Sequence, residues 1–298
     1  MRKRGRAAGK LGAVRIGISG WRYAGWRGRF YPAGLRQKDE LGYAAEHFSS
    51  IEINGTFYSL QAPSSFRAWA AATPDDFVFA VKGPRFITHM KKLRDVEVPL
   101  ANFLASGVLA LGAKLGPILW QLPPAFRFKP ELLAEFFRLL PRSTKQAARL
   151  AHRHDAKLKH RAVLRTDKDR PLRHALEIRH DSFRDSRFIA LLRQHRIGLV
   201  VADTVEWPLL MDATADFVYV RLHGSSELYA SQYGDRDLDI WAARIGAWAR
   251  GEEAQGEHAG PPAPARPRDV YVYFDNDAKV YAPVDAQALT RKVQKLLA

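Results

Sequence analysis

Cysteine is absent from all 298 residues. That removes disulfides, thiol nucleophiles and cysteine-held zinc or iron–sulfur clusters from consideration. Long apolar runs are missing too. The longest are strand-sized, well short of the roughly 20 residues of a membrane-spanning helix. The opening stretch MRKRGRAAGKLGAV is basic and has no apolar core of the kind a signal peptide carries. A cytoplasmic protein with a disordered basic tail over residues 1–13, and no membrane partner, is the expectation. No GxxxxGK(S/T), GxSxG or HExxH motif occurs, and no GxGxxG follows a strand, which argues against the classes those motifs serve. Acidic residues are scarce: 31 Asp and Glu stand against 47 Lys and Arg, for a formal net charge of +16. A surplus of that size attracts polyanions such as nucleic acid in a salt-dependent way, although an Arg-rich solvated surface would look the same.

What is present is a regular alternation. With 47% hydrophobic residues the chain can bury a large core. Period-two patterns mark eight strands: Val14–Trp21, Ser50–Tyr58, Phe77–Arg85, Gly116–Pro124, His174–Phe183, Ile197–Thr204, Phe217–Gly224 and Asp269–Asp277. Between them the pattern predicts helices over about 37–47, 63–69, 97–111, 130–140, 186–195, 238–250 and 286–297. Eight strand–helix units in a chain of this length predict a single α/β domain, a (β/α)8 TIM-like barrel over residues 14–298; a doubly wound open sheet is the competing arrangement. Two segments break the rhythm. Arg142–Arg173, between the fourth predicted helix and the fifth strand, is a strongly basic surface insertion with too few apolar residues for its own core. GEEAQGEHAGPPAPARPR, residues 251–268, has the composition of a mobile linker.

Taking the face opposite the apolar one on each strand collects Glu52, Asn54, Lys82, Gln121, Glu177, Arg179, Asp203, Arg221, His223, Tyr273 and Asp275. All lie toward the C-terminal ends of their strands, where barrels carry their active sites. Lys82, Arg85, Arg179 and Arg221 suit an anionic ligand, because guanidinium and ammonium groups match phosphate or carboxylate. Glu52, Glu177 and His223 are the expected proton carriers. The same charges could instead neutralise one another and fill the mouth without turnover. A divalent metal is a rival use of the rim, with Glu177, His180, Asp203 and His223 as its ligands, joined by Glu52. His152 and His154 sit in the basic insertion and read as surface residues. Trp21, Tyr23, Trp26, Phe30, Tyr31, Phe57 and Tyr58, just beyond the first two strands, could stack on a base or a sugar or simply cap the barrel. His89, in the third loop, is within reach of the mouth.

These residues sit in longer motifs: IGISGWRYAGWRGRFYP, EINGTFYSLQAPSSFRAW, TPDDFVFAVKGPRFITH, GPILWQLPPAF, HALEIRHDSF, VVADT, YVRLHG and YFDND. Together they resemble the YecE-like family, the domain of unknown function numbered seventy-two, from Val14 to the C-terminus. The resemblance implies a (β/α)8 barrel and marks Gly20, Trp21, Glu52, Asn54, Phe57, Tyr58, Lys82, His89, Gln121, Glu177, Arg179, His180, Asp203, Arg221, His223, Gly224 and Asn276. It implies no reaction. Phe183 departs from the family's frequent Trp, and the basic insertion is longer than in compact members. Three functions remain open: a hydrolase-like acid–base enzyme on an anionic, phosphate-bearing substrate; a metal-dependent nucleic-acid phosphoesterase; and a non-catalytic nucleic-acid-binding protein driven by the tail and Arg142–Arg173.

Overall fold

The computed structural model describes residues 11–158, 161–224 and 227–298; residues 1–10 of the predicted basic tail lie outside it. Eight parallel strands, β1 (Val14–Ser19), β2 (Ser50–Ile53), β3 (Val78–Lys82), β4 (Leu115–Gln121), β5 (His174–Glu177), β6 (Gly198–Asp203), β7 (Phe217–Leu222) and β8 (Asp269–Phe274), close into a barrel in chain order. The closed barrel replaces the open-sheet alternative. Each strand stops earlier than its pattern suggests. The residues past its end, such as Asn54, Arg179 and His223, turn out into the loops that form the mouth.

Alternation divides each strand between two cores. Ala80, Leu119, Ala175, Val200, Ala202, Phe217, Tyr219, Tyr271 and Tyr273 fill the barrel interior. Their neighbours, among them Ile51, Phe79, Ile118, Leu176, Val201 and Val220, pack against the helices outside. The helix ring includes α1 (Glu40–His47), α2 (Gly55–Tyr58), α3 (Pro63–Ala71), α4 (Glu97–Ala105), α5 (Pro130–Leu139), α6 (Thr144–Ala151), α7 (Ser186–Gln194), α8 (Asp235–Arg250) and α9 (Tyr281–Leu297). The expected helix over 97–111 ends early because Gly107 takes φ 130°, and a Cβ there would lie 2.6 Å from the Phe66 ring. Among the described residues no helix is long and apolar enough to cross a membrane.

The basic insertion contains α6, whose first turn is capped by Ser143. Ala147, Ala148 and Ala151 are buried, and α6 packs on α4. Its two ends are tied by Leu172 N donating to Arg142 O and Thr144 N to Arg170 O. The 251–268 stretch is not the free linker its composition suggests. Met211 N donates to Glu257 O, the Asp212 carboxylate accepts from Ala259 N and Gly260 N, and Arg268 donates to Ala215 O and Pro264 O. Proline and glycine leave many backbone groups unpaired within the segment, and the barrel wall supplies their partners. The tail is also anchored at its end, with Gly12 N bonded to Ala249 O and Ala13 N to Asp269 Oδ1.

His174, on the outer face of β5, is fully buried. Its Nδ1 accepts from Trp120 Nε1 at 3.1 Å, so Nε2 carries the proton and donates to Pro141 O at 2.8 Å. Burial lowers its pKa from 6.5 to about 3. The folded state therefore keeps His174 neutral while the unfolded chain takes a proton below 6.5. Stability is lost as pH falls through that value, by up to about 1.4 kcal/mol per pH unit. His174→Phe should flatten the pH dependence of urea-unfolding stability between pH 6 and 4 by one proton's slope. An unchanged slope would mean that His174 already titrates normally in the fold.

Candidate active site

The mouth is built around Arg221. It stands on the inner face of β7, one alternation step above Tyr219, and is fully buried. Its Nη1 donates to Glu177 Oε2 at 2.7 Å; its Nη2 lies 2.9 Å from Glu52 Oε1, 2.9 Å from Asp275 Oδ2 and 3.2 Å from Ser19 Oγ. One guanidinium thus gathers the carboxylates of β2, β5 and the loop after β8. The fork of donors makes that possible; a lysine could not reach all three in one plane.

The carboxylates are engaged on their other sides as well. Glu52 accepts from Ser19 Oγ and from Tyr219 OH, both at 2.6 Å. Glu177 accepts from Arg179 Nε at 2.7 Å. Burial alone would raise the Glu177 pKa, but Arg179 and Arg221 override it and hold the carboxyl well below the usual range. Asp275 is likewise pushed up by burial and then pulled below the usual range by Arg221 and His223. His223 is fully buried, with Nδ1 3.1 Å from Asp275 Oδ2 and Nε2 3.5 Å from Arg221 Nη1. Burial, then Arg221, lowers its pKa. The three expected proton carriers, Glu52, Glu177 and His223, therefore come together, but as members of one ion network centred on Arg221.

The groups beside this network are different. Lys82, at the C-terminal end of β3, is 8% exposed, and its Nζ lies 4.5 Å from the centre of the Phe57 ring. Among the described residues it makes no ion pair and its Nζ no hydrogen bond. Burial, then the charge of Arg221, lowers its pKa from 10.5 to about 8. The Arg179 guanidinium lies 3.7 Å over the Trp207 ring and reaches Tyr229 OH at 3.4 Å. His89 sits edge-on to Phe57, and burial, then Arg179, lowers its pKa to about 4, so it is neutral at pH 7. Gln121 is in register with Glu177, and Asn54 donates to Ser19 Oγ at 2.8 Å.

Several of the expected residues serve elsewhere. Asp203 points away from the mouth, because Val200 and Ala202 take the inner positions of β6; its carboxylate accepts from Trp241 Nε1 of α8 at 3.0 Å. Asn276 donates to Asp285 Oδ2 on α9 at 2.8 Å and to Ser231 O, bracing a loop to the helix layer. His180 caps its own turn, its Nδ1 accepting from Ser182 N. Trp21 packs edge-on to Trp69, while Trp26 and Tyr31 are buried with Phe30 in a packed aromatic cluster. The metal quartet is overturned by this placement. Glu177 is held by two arginines, Asp203 faces α8 and His180 faces its own backbone; the described residues contain no group of three His, Asp or Glu placed to hold a metal ion.

Pattern reading missed Ser19, Tyr219, Tyr229, Trp207 and Asp277. Tyr219 was accessible, since it shares the face of Arg221 by period two. Trp207 and Tyr229 come from loops, where no periodicity points to the mouth. Asp277 is pushed well above the usual carboxylate range by burial and then by the charge of Asp275. At the mouth the carboxylates of Glu52, Glu177 and Asp275 meet the cations Lys82, Arg179 and Arg221. Among the described residues each of these three carboxylates has a guanidinium partner, and Lys82 has no ion-pair partner.

A family model described as "Protein of unknown function DUF72" matches residues 15–297. The chain belongs to that family. Within DUF72, it is 31% identical over 113 residues to the Escherichia coli K12 protein named UPF0759 protein YecE, covering 38% of this chain and 39% of that one. It is 29% identical over 132 residues to the Bacillus subtilis UPF0759 protein YunF, covering 41% and 44%. The chain thus matches less than half the length of these curated relatives. Solved structures of DUF72 proteins extend the likeness of fold to the whole chain. One from Thermotoga maritima has a TM-score of 0.70 at 24% identity, over 96% of this chain and 99% of that one. One from Enterococcus faecalis has a TM-score of 0.65 at 17% identity, over 97% and 98%.

Proposed function

We propose that this DUF72 barrel is a hydrolase-like acid–base enzyme whose mouth takes the anionic, phosphate-bearing end of a substrate on Lys82 and Arg179. The observation that carries the reading is the unpartnered Lys82. A buried ammonium among paired ions is costly to keep, and an anion in front of it offsets that cost. The roles expected from sequence shift accordingly. Glu52, Glu177, His223 and Arg221 position the site; Lys82 touches the ligand and is the group whose pKa, about 8, suits proton transfer near neutrality. Arg179, fixed by Glu177 and stacked on Trp207, orients the anion. The neutral His89 offers a hydrogen bond without adding charge.

Sulfate is the cleanest probe, because it stays a dianion across the range in which Lys82 titrates. Its affinity, followed by calorimetry, should fall as pH rises through about 8, and Lys82→Met should lower it at least about tenfold by removing a charge-assisted contact. Turnover of a panel of phosphate mono- and diesters should disappear in the same variant. Sulfate binding that ignores both pH and Lys82→Met would overturn the anion site. Sulfate binding of the expected kind with no turnover of any ester would leave the mouth as a binding site only and defeat the enzyme reading.

A further inference from the structure

Beside the mouth, a second cleft of about 430 Å³ is enclosed by α2, the segment Pro84–Met90, α4 and the basic insertion. Its lining includes Tyr58, Phe86, Met90, Arg85 and Lys157 and contains no carboxylate. The apolar side chains are unusually open to solvent: Tyr58 is 71% exposed, Met90 63% and Phe86 37%. A soluble protein rarely leaves such a cluster bare without a ligand for it. Lys157 Nζ lies 5.3 Å from the centre of the Phe86 ring. Neither Lys157 nor Arg85 forms an ion pair among the described residues.

We propose that this cleft is a subsite for one unit of a single-stranded nucleic acid, its base lying on Tyr58 and Phe86 and its phosphate between Arg85 and Lys157. Flat rings next to unpaired cations are what a base and its phosphate require together. A single strand is favoured over a duplex, because paired bases stack on one another and present no free face to the rings. The surroundings extend the match. Lys157 belongs to the segment that also carries the exposed Lys145, Arg149, Arg161 and Arg165. Phe57 lines the cleft on one side and underlies Lys82 on the other, so it is a wall common to cleft and mouth. A strand seated in the cleft would bring its neighbouring phosphate toward Lys82. That continuation rests on the mouth being an anion site; the subsite itself does not.

Fluorescence anisotropy of a labelled mixed-sequence single-stranded oligonucleotide, with the full chain at low salt, tests the assignment. Tyr58→Ala/Phe86→Ala should weaken binding by about 10- to 100-fold, the effect of losing base stacking. Arg85→Ser/Lys157→Ser should reduce the slope of log affinity against log salt by about 0.7, the value for one phosphate of a single strand. Both pairs are surface residues, and thermal unfolding checks that the fold is intact. Equal affinity of the aromatic pair and the parent would overturn the proposal, leaving binding to the general basic surface. So would equal affinity for duplex or for polyglutamate, or no binding at all. Lys82→Met separates the two readings. Loss of sulfate binding with strand binding retained supports both sites, whereas normal sulfate binding in that variant removes the mouth and leaves the cleft standing.

Discussion

Replacing Arg221 with methionine is expected to destabilise the barrel by about 3–5 kcal/mol, the usual cost of stranding the partners of a buried ion pair. The guanidinium is fully buried and sits within 2.9 Å of Glu52, Glu177 and Asp275. Without it, three carboxylates face one another in the barrel, and two of them lose a cation that now keeps them ionised. They would take up protons, so the sign with pH follows. In the parent, Glu177 and Asp275 contribute stability above their unfolded pKa values that is lost as pH falls through the folded ones. In the variant their pKa values rise, and the deficit against the parent should shrink as pH is lowered from 7 toward 4. Urea unfolding at several pH values measures both. Arg221→Lys should recover only part of the loss, because a point charge cannot span three carboxylates. A loss below about 1 kcal/mol, in the range of exposed pairs, would show that water reaches the network and that it does not hold the mouth together.

Lys82→Met is expected to act in the opposite direction, raising stability at pH 7 by on the order of 1–3 kcal/mol while lowering sulfate affinity at least about tenfold. The two cations share the barrel mouth but not an environment. Arg221 is surrounded by its counter-ions; Lys82 has a phenyl ring beneath it and Arg221 nearby, and burial is the first cause of its lowered pKa, about 8 against 10.5. Below pH 8 the folded protein carries the full penalty of that charge. Between about 8 and 10.5 the folded state has released the proton and the unfolded chain has not, so parent stability rises with pH and the gap to the variant closes. A variant that is less stable than the parent at pH 7 would make Lys82 a member of the ion network and remove the reason to place an anion in front of it.

The mouth also shows which features a one-dimensional pattern can carry. The inner positions of β3, β5, β7 and β8 were readable because a strand exposes alternate residues to the barrel interior, and Lys82, Glu177, Arg221 and Asp275 obey that period. The same rule failed on β6. In LVVAD both faces are apolar, the period is invisible, and Asp203 was assigned to the mouth although it faces Trp241 of α8. The 251–268 stretch misled for a related reason. Its proline and glycine content describes a chain with no regular ladder of its own, which is silent about hydrogen bonds made to Met211 and Asp212 elsewhere in the barrel.

The sequence by itself determined the eight strand–helix units, the barrel that they close into, the family and the end of the barrel where polar side chains gather. These follow from local periodicity and from residue type, both of which are written along the chain. Which charge is spent on which partner was decided only in three dimensions. Arg221 meets carboxylates from positions 52, 177 and 275, separations over which no pattern extends. Pairing is a matter of a few ångströms, and only the closed barrel reveals that one guanidinium meets three acids while Lys82, alike in charge and in strand position, has no ion-pair partner among the described residues.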